Sequence, residues 1–375
     1  MNFQLAAFLR TTLPLDLSAL QRMDDGQYHS VWLPDHMVSF WPDAIWTPEF
    51  TDLAVTSKSP HRHLDGLAVA AAAGVLTHSV PFATSVVDTV RRHPAMLAQT
   101  ALTISHLTKG RFILGLGAGE KENCEPYGFS TARSVSRFDE AVQVIRMLWE
   151  AEGPVDFEGN FYRFEHARLD TELYQGVAPP MWIGASGPRM LGIAGRYADG
   201  WWPAGMYDAP SYAEKLGVLR KAAGACGRNP DAITPAYMIA CLLGDASEID
   251  AMLRQPLLRA FALQMTGHSF RQKGFRHPMG DDWRGILDLE PDKLSRDDLM
   301  AFIANVDPKA ILANVPHGSP RDVLSKVREY VEAGVRVATI LDYGGMAGTR
   351  FAAESVAKQA ELERLVRENL CGVTL

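Results

Sequence analysis

The sequence predicts a parallel α/β protein, a (β/α)₈ TIM barrel with insertion segments after some of its strands. Three observations carry that expectation. Short apolar runs alternate with longer amphipathic segments along all 375 residues, and about eight of the runs are strand-like. Runs such as RFILGLG and VRVATIL are continuously apolar instead of alternating, which belongs to strands covered on both faces, as in a parallel sheet wrapped by helices. A barrel of this length as one unit is ordinary, so residues 1–375 are taken as a single domain.

In chain order, strands are expected over 3–9, 29–33, 80–86, 111–116, 181–184, 200–202, 234–240 and 335–341. Helices fall between them. Pro94 opens one, AMLAQTALTISHL, with proline in the first turn, where its missing N–H is not needed. Ser136 is read as the cap of the next, with Asp139 three positions on and Phe138, Val142, Ile145 and Trp149 forming one buried stripe. A third runs from Pro320 to Glu332. Three stretches resist the pattern: 37–63, rich in Trp and Pro; 153–170, read as a hairpin around Glu158-Gly159-Asn160; and 266–294. Loops after strands build the active site of a parallel barrel, so the first and last are expected as walls over a pocket.

Composition narrows the function. Hydrophobic residues at 47% and charged residues at 22% supply a sizeable core. With a net charge of −7 and scattered Lys and Arg, there is no footprint for nucleic acid or anionic lipid, so the expected partner is a small molecule. Cys124, Cys226, Cys241 and Cys371 are far apart and form no CxxC pair, against a zinc site or a disulfide framework. The start, MNFQLAAFLRTTLPLDL, has no basic n-region, and the longest apolar stretch, 67–76, is too short to span a bilayer. A cytoplasmic protein without an integral membrane segment is expected.

Chemistry is expected at strand ends. Trp32-Leu33-Pro34-Asp35-His36 puts a carboxylate beside an imidazole at the second; His titrates near neutrality and can donate a proton, the bland alternative being an ordinary loop histidine. Gly115-Leu116-Gly117-Ala118-Gly119-Glu120 looks like a dinucleotide fingerprint, but NCEPYGFSTARS intervenes before the next convincing cap. The glycines are read as letting backbone approach a flat ring, and Glu120 as a general acid if burial raises its pKa, against a plain strand exit with a solvated carboxylate. Thr84-Ser85-Val86-Val87-Asp88 presents hydroxyls or bulged backbone under a ring. Gly184-Ala185-Ser186-Gly187-Pro188-Arg189 opens a helix whose N-terminus and arginine suit phosphate, or is simply a turn. Trp41, Trp46, Trp201 and Trp202 line a pocket or pack the core. His61-Arg62-His63 lacks a third ligand at a telling spacing, and no metal is assigned.

The ordered set WLPDH, TSVV, RRHPAMLAQTALTISHLTKGRFILGLGAGE, ENCEPYG, SRFDEAVQVIRMLW and PPMWIGASGPRMLGIAGRYADGWW resembles the luciferase-like superfamily, particularly its coenzyme F420-dependent oxidoreductase branch. RHPMGDD with GEKENCEPYG and ASGPRML is most similar to the mycobacterial phthiodiolone ketoreductase group. The resemblance implies a barrel of the bacterial-luciferase type, a homodimer, and hydride transfer between the deazaflavin F420 and a ketone or secondary alcohol. It makes His36 the active-site histidine beside the ring and Asp35 its coenzyme-contacting neighbour. Ser85-Val86 becomes a bulge with a non-proline cis peptide behind the ring, with Asp88 close by. Ala118 and Gly119 face the ring, Glu120 is the ring-side acid and Asn123 binds the ring. Gly184, Ala185, Ser186 and Gly187, with Pro188 and Arg189, contact the coenzyme's tail and phosphate.

One departure bears on substrate. Sugar-phosphate dehydrogenases of the branch carry lysines after the GWW strand, whereas here none occurs before Lys215. A pocket bordered by Trp41, Trp46, Trp202, Met206 and Tyr207 suits an apolar ketone or alcohol instead. On this reading His36 stabilises or protonates the developing alkoxide and Glu120 manages the ring-side proton. The rivals are an FMN-dependent monooxygenase of the same superfamily, an F420-dependent methylene-tetrahydropterin reductase-like enzyme, and a non-catalytic flavin-binding protein.

Overall fold

Buried runs of β-branched and aromatic residues supply eight barrel strands in the expected order. In the computed structural model, which describes residues 2–205 and 207–372, β1 comes in two pieces, Gln4–Leu5 and Ala7–Phe8. It is followed by β2 (Val31–Leu33), β3 (Phe82–Thr84), β4 (Phe112–Gly117), β5 (Met181–Ile183), β6 (Gly200–Trp201), β7 (Thr234–Leu243) and β8 (Val337–Asp342). Neighbours pair in parallel around the ring. Gln4 faces Val337 of β8 and Ala7 faces Val31 of β2, so the two pieces of β1 seam the sheet shut. Closure covers both ends of the sheet.

A helix follows each strand: α1 (Leu17–Met23), α2 (Gly66–Leu76), α3 (Pro94–Leu107), α4 (Ser134–Glu150), α5 (Pro188–Tyr197), α6 (Ala209–Ala225), α7 (Pro320–Glu332) and α8 (Thr349–Leu370). The proline starts of α3 and α7 stand as read, and Ser319 with Asp322 closes a capping box on α7. α4 differs: it begins at Ser134, preceded by Arg133 in the left-handed region at φ 60° with no side-chain cap. Ser136 therefore lies inside the helix, and its hydroxyl accepts from Arg189 at 2.9 Å. The expected hairpin is present, Val155–Glu158 antiparallel to Arg163–Ala167.

Two apolar layers surround the sheet, one between strands and helices and one inside the barrel. The interior is filled by tryptophans: Trp32 stacks on Trp202 with centroids 3.8 Å apart and lies 5.1 Å from Trp182. Trp202, expected as a pocket wall, is thus interior core; Trp201 points outward, its indole N–H donating to the Ala185 carbonyl at 2.8 Å. A third cluster caps the C-terminal ends of β7 and β8. Segment 37–63 contributes Trp41 and Ile45, and a helical run contributes Leu257, Phe261, Phe270 and Leu299. That run is longer than the expected 266–294: Ala246–Leu253, Pro256–Ala260, Gly267–Gln272, Arg296–Asn305 and Pro308–Asn314 are all helical.

Trp41 stacks on Phe261 at 6.2 Å and Phe261 on Tyr343 at 4.6 Å. The Tyr207 hydroxyl donates to the Gln264 carbonyl at 3.1 Å, and the Trp46 indole to that of Ser57 at 2.6 Å. Trp41 and Tyr207 therefore pack segment 37–63 and the β6 exit against the cap helices, Trp46 is tied within its own segment, and Met206 lies outside the described residues. His277 of RHPMGDD is buried in the cap with its ring bonded to the Ala262 carbonyl at 3.0 Å, a packing role. Among the described residues no helix is long and apolar enough to cross a membrane.

Candidate active site

The site grows from the exits of β2, β3, β4 and β5. β2 ends at Leu33, and Asp35, 4% exposed, turns its carboxylate back into the protein. It accepts from the Gly66 N–H at 3.2 Å, from Arg91 at 3.0 Å and from Arg92 at 2.9 Å. β3 ends at Thr84; the Ser85–Val86 peptide is cis, and Val87–Asp88 then pairs with the end of β4. Asp88 accepts from the backbone N–H groups of Val90 and Arg91 at 2.9 and 2.7 Å and from the Arg91 guanidinium. Both aspartates that the resemblance assigned to the coenzyme thus spend their carboxylates on arginines and backbone at the strand exits.

The β4 exit explains its glycines. A Cβ on Gly115 would lie 1.8 Å from the Thr84 carbonyl oxygen, so the neighbouring strand, and not only a ring, demands glycine there. Gly119 sits at φ +90° and turns the chain. Immediately after Glu120 a single helical turn, Lys121–Cys124, opens, where the sequence reading had placed none before the next cap. It leads to a 3-10 turn, Glu125–Tyr127, and not to the crossover helix. This turn folds Glu122 and Asn123 back beneath Glu120.

Asn123, 2% exposed, organises the centre. Its Oδ1 accepts from the backbone N–H groups of Met37 and Val38 at 2.7 and 3.1 Å. Those groups can only donate, so the amide orientation follows from the network. The Nδ2 group then faces His36 Nδ1 at 2.9 Å and Glu122 Oε1 at 2.9 Å. Since Nδ2 donates, His36 accepts at Nδ1 and carries its proton on Nε2. Glu120 Oε2 stands 4.0 Å from His36 Nδ1. Phe40 meets the imidazole edge-on at 5.0 Å, and His63 lies against it at 5.7 Å.

Glu122 was missed in the sequence, and His63 was read only as half of a loose ligand pair. Glu122 is 1% exposed, and its Oε2 has no hydrogen-bond partner. Burial, reinforced by the negative Glu120, pushes its carboxyl up to about 10, so it is neutral at neutral pH. Burial, then the neighbouring His36 and His61, lowers His63 to about 4 and keeps it uncharged. Donor atoms of His36, Glu120 and Glu122 all lie within 4.8 Å of one another. A divalent cation would use such a set with both carboxyls ionised.

At the β5 exit the Gly184 N–H donates to the Leu116 carbonyl at 2.9 Å, tying this loop to β4. Val86 Cγ2 lies 3.6 Å from where a Cβ on Gly184 would stand, so the β3 bulge and the small-residue segment adjoin. The Ser186 hydroxyl donates to the Ala204 carbonyl at 2.9 Å, and the Ser186 carbonyl accepts from Lys215 Nζ at 2.8 Å. Gly187 provides no side-chain cap to α5, Pro188 opens it and Arg189 is exposed in its first turn. Lys215, remote in sequence from the GWW strand, thus comes to the same loop.

Closed parallel strands with titratable side chains gathered at the C-terminal ends of β2 and β4 define a barrel enzyme. The chain belongs to the luciferase-like monooxygenase family, whose profile it matches over residues 18–337, and it is an oxidoreductase of that family. It is 33% identical over 349 residues, 90% of each chain, to the phthiodiolone/phenolphthiodiolone dimycocerosates ketoreductase of Mycobacterium bovis (strain BCG / Pasteur 1173P2). It is 31% identical over 231 residues, 60% of this chain and 58% of the relative, to the F420-dependent hydroxymycolic acid dehydrogenase of Mycobacterium tuberculosis (strain ATCC 25618 / H37Rv). Its fold matches an F420-dependent secondary alcohol dehydrogenase in complex with an F420-acetone adduct, with a TM-score of 0.69 at 20% identity, covering 96% of this chain and 99% of that one.

Proposed function

We propose that the protein is an F420-dependent oxidoreductase that transfers a hydride between the deazaflavin and a ketone or secondary alcohol of apolar, lipid-like character. The observation that carries this reading is the His36–Asn123 hydrogen bond of 2.9 Å, which fixes the imidazole as an Nε2–H donor at the barrel mouth. Relatives named as a ketoreductase and as an F420-dependent dehydrogenase support it. The same reading makes it a cytoplasmic homodimer acting on a small molecule.

The residues present fit such a coenzyme. The uncapped α5 N-terminus, with Arg189 in its first turn and Lys215 on the Ser186 carbonyl, is suited to a phosphate. Ser85-Val86, Ala118, Gly119 and Gly184 to Gly187 are the residues that would hold ring and tail. When bound, the reduced deazaflavin supplies a hydride and gives up one proton. His36 Nε2–H donates to the substrate carbonyl oxygen and stabilises charge developing there. Glu120 holds the proton released on the coenzyme side.

Titration with F420 and with FMN, followed by a panel of ketones and secondary alcohols monitored through the deazaflavin absorbance, tests the reading. Tight F420 binding, weak FMN binding and substrate-dependent bleaching or recovery are expected. His36→Ala and Glu120→Gln should each lower kcat about 100-fold or more, with coenzyme affinity within a few-fold. Binding of FMN alone, or normal turnover by both variants, overturns it.

A further inference from the structure

We infer that Glu122 is the proton-holding partner of Glu120: the two carboxyls share one proton, carried on Glu122 Oε2, and together keep Glu120 available as the coenzyme-side base. This rests on the proposed hydride transfer. The geometry points to it from several sides. Glu122 is 1% exposed, and its two oxygens are differently placed. Oε1 accepts from Asn123 Nδ2 at 2.9 Å, as the carbonyl oxygen of a neutral carboxylic acid does. Oε2 is buried without a hydrogen-bond partner, and one carboxyl oxygen of Glu122 lies within 4.8 Å of one of Glu120. An ionised carboxylate at that place would leave a charge unpaired beside a second carboxylate. A neutral carboxyl there carries no such charge, and burial and the adjacent Glu120 both favour it. The surrounding titratable groups agree: His36 faces the pair from the β2 loop, His63 behind it is uncharged, and Lys121 turns away to Asp288 at 3.4 Å, so no cation on the same turn neutralises Glu122.

Glu122 acts through Glu120 and is a positioning residue. It holds one proton beside Glu120, and the pair with one proton has room for one more. In ketone reduction the carbonyl carbon gains the hydride, and the carbonyl oxygen takes the His36 Nε2 proton. The proton given up on the coenzyme side goes to Glu120 and is released to solvent, from which His36 Nε2 is reprotonated while Nδ1 stays bonded to Asn123. No net proton is consumed, and the pair ends the turnover with the proton it began with.

Infrared difference spectroscopy on the full-length, coenzyme-free protein between about pH 5 and about pH 9 reads the pair directly. Wild type is expected to show the C=O band of a protonated carboxyl that persists through neutral pH, lost in Glu122→Gln and kept in His36→Ala. In Glu120→Gln the band should remain but titrate at lower pH, because the negative neighbour is gone. The inference falls if wild type lacks the band at neutral pH, if Glu122→Gln retains it, or if Glu120→Gln leaves its titration unmoved. Should Glu122→Gln fail to fold, the wild-type and Glu120→Gln spectra still decide. In turnover, Glu122→Gln should lower kcat about tenfold with KM within about twofold, and remove the alkaline limb of the kcat profile. The two readings fail separately. A wild-type band without F420 turnover sinks the coenzyme assignment, whereas F420 turnover without the band sinks the shared proton.

Discussion

Asn123 couples the β4 exit to the β2 exit by hydrogen bonds alone. One amide oxygen pins the Met37 and Val38 N–H groups, and one amide nitrogen sets the His36 tautomer while meeting Glu122. Asn123→Ala should leave one buried and one part-buried donor unpaired, costing about 1–3 kcal/mol in urea denaturation, and lower kcat about tenfold or more through loss of the tautomer. Asn123→Asp separates the two effects. A carboxylate still accepts from Met37 and Val38 but cannot donate to His36, so its kcat should fall as far as that of the alanine variant while the backbone anchor survives. Equal kcat for Asn123→Asp and wild type would remove Asn123 from the proton machinery. His36 and Glu120 were legible because each follows a strand-like run within a motif, and Asn123 only through the family resemblance. Glu122 was not, because a residue two positions past a strand end is assigned to a face only once the turn is known. The Lys121–Cys124 turn reverses the expectation. His63 was dismissed as half of a poor ligand pair, since nothing local places it against His36.

Between elements, ion pairs do the joining. Asp35 from the β2 exit is held by Arg91 and Arg92 from the β3 exit; Arg91 also binds Asp88, and Arg92 binds Asp65, whose carboxylate caps α2. The Asp35 and Arg91 side chains are 2% and 9% exposed, so removing one charge strands the other. Asp35→Asn is therefore expected to cost about 3 kcal/mol, read from the urea midpoint at neutral pH. A variant within about 0.5 kcal/mol of wild type would show that the network is not structural. Barrel strands and the helices opened by Pro94 and Pro320 could be read from continuous apolar runs and proline at the first turn. The cap helices escaped because they are short and interrupted, Pro256–Ala260 and Gly267–Gln272 having only five and six residues. Their apolar residues are buried against Trp41 and Tyr343 from elsewhere in the chain, a partner that local periodicity does not contain.

At the scale of the whole molecule, packing at the β2 and β4 exits buries Glu122 and much of His63 while Glu120 stays 29% exposed, and that burial sets how stability depends on pH. Glu122 ionises near its ordinary 4.5 in the unfolded chain but is pushed up to about 10 in the folded one, by burial first and then by Glu120. Folding between those values requires uptake of a proton. Its contribution is fully present below about pH 4.5 and is lost as pH rises toward about 10, at a slope of up to about 1.4 kcal/mol per pH unit. His63 works in the opposite sense. Lowered from 6.5 to about 4 by burial, then by His36 and His61, it contributes above about pH 6.5 and loses that contribution as pH falls toward about 4. The two arms should place maximum stability at mildly acid pH. Thermal melts of wild type, Glu122→Gln and His63→Gln across that range check both arms. Glu122→Gln should match wild type near pH 4.5 and exceed it increasingly as pH rises, whereas His63→Gln should flatten only the acid arm. Melting curves for Glu122→Gln that run parallel to wild type at every pH would mean that Glu122 is ionised in the folded protein, and with it the shared proton would go.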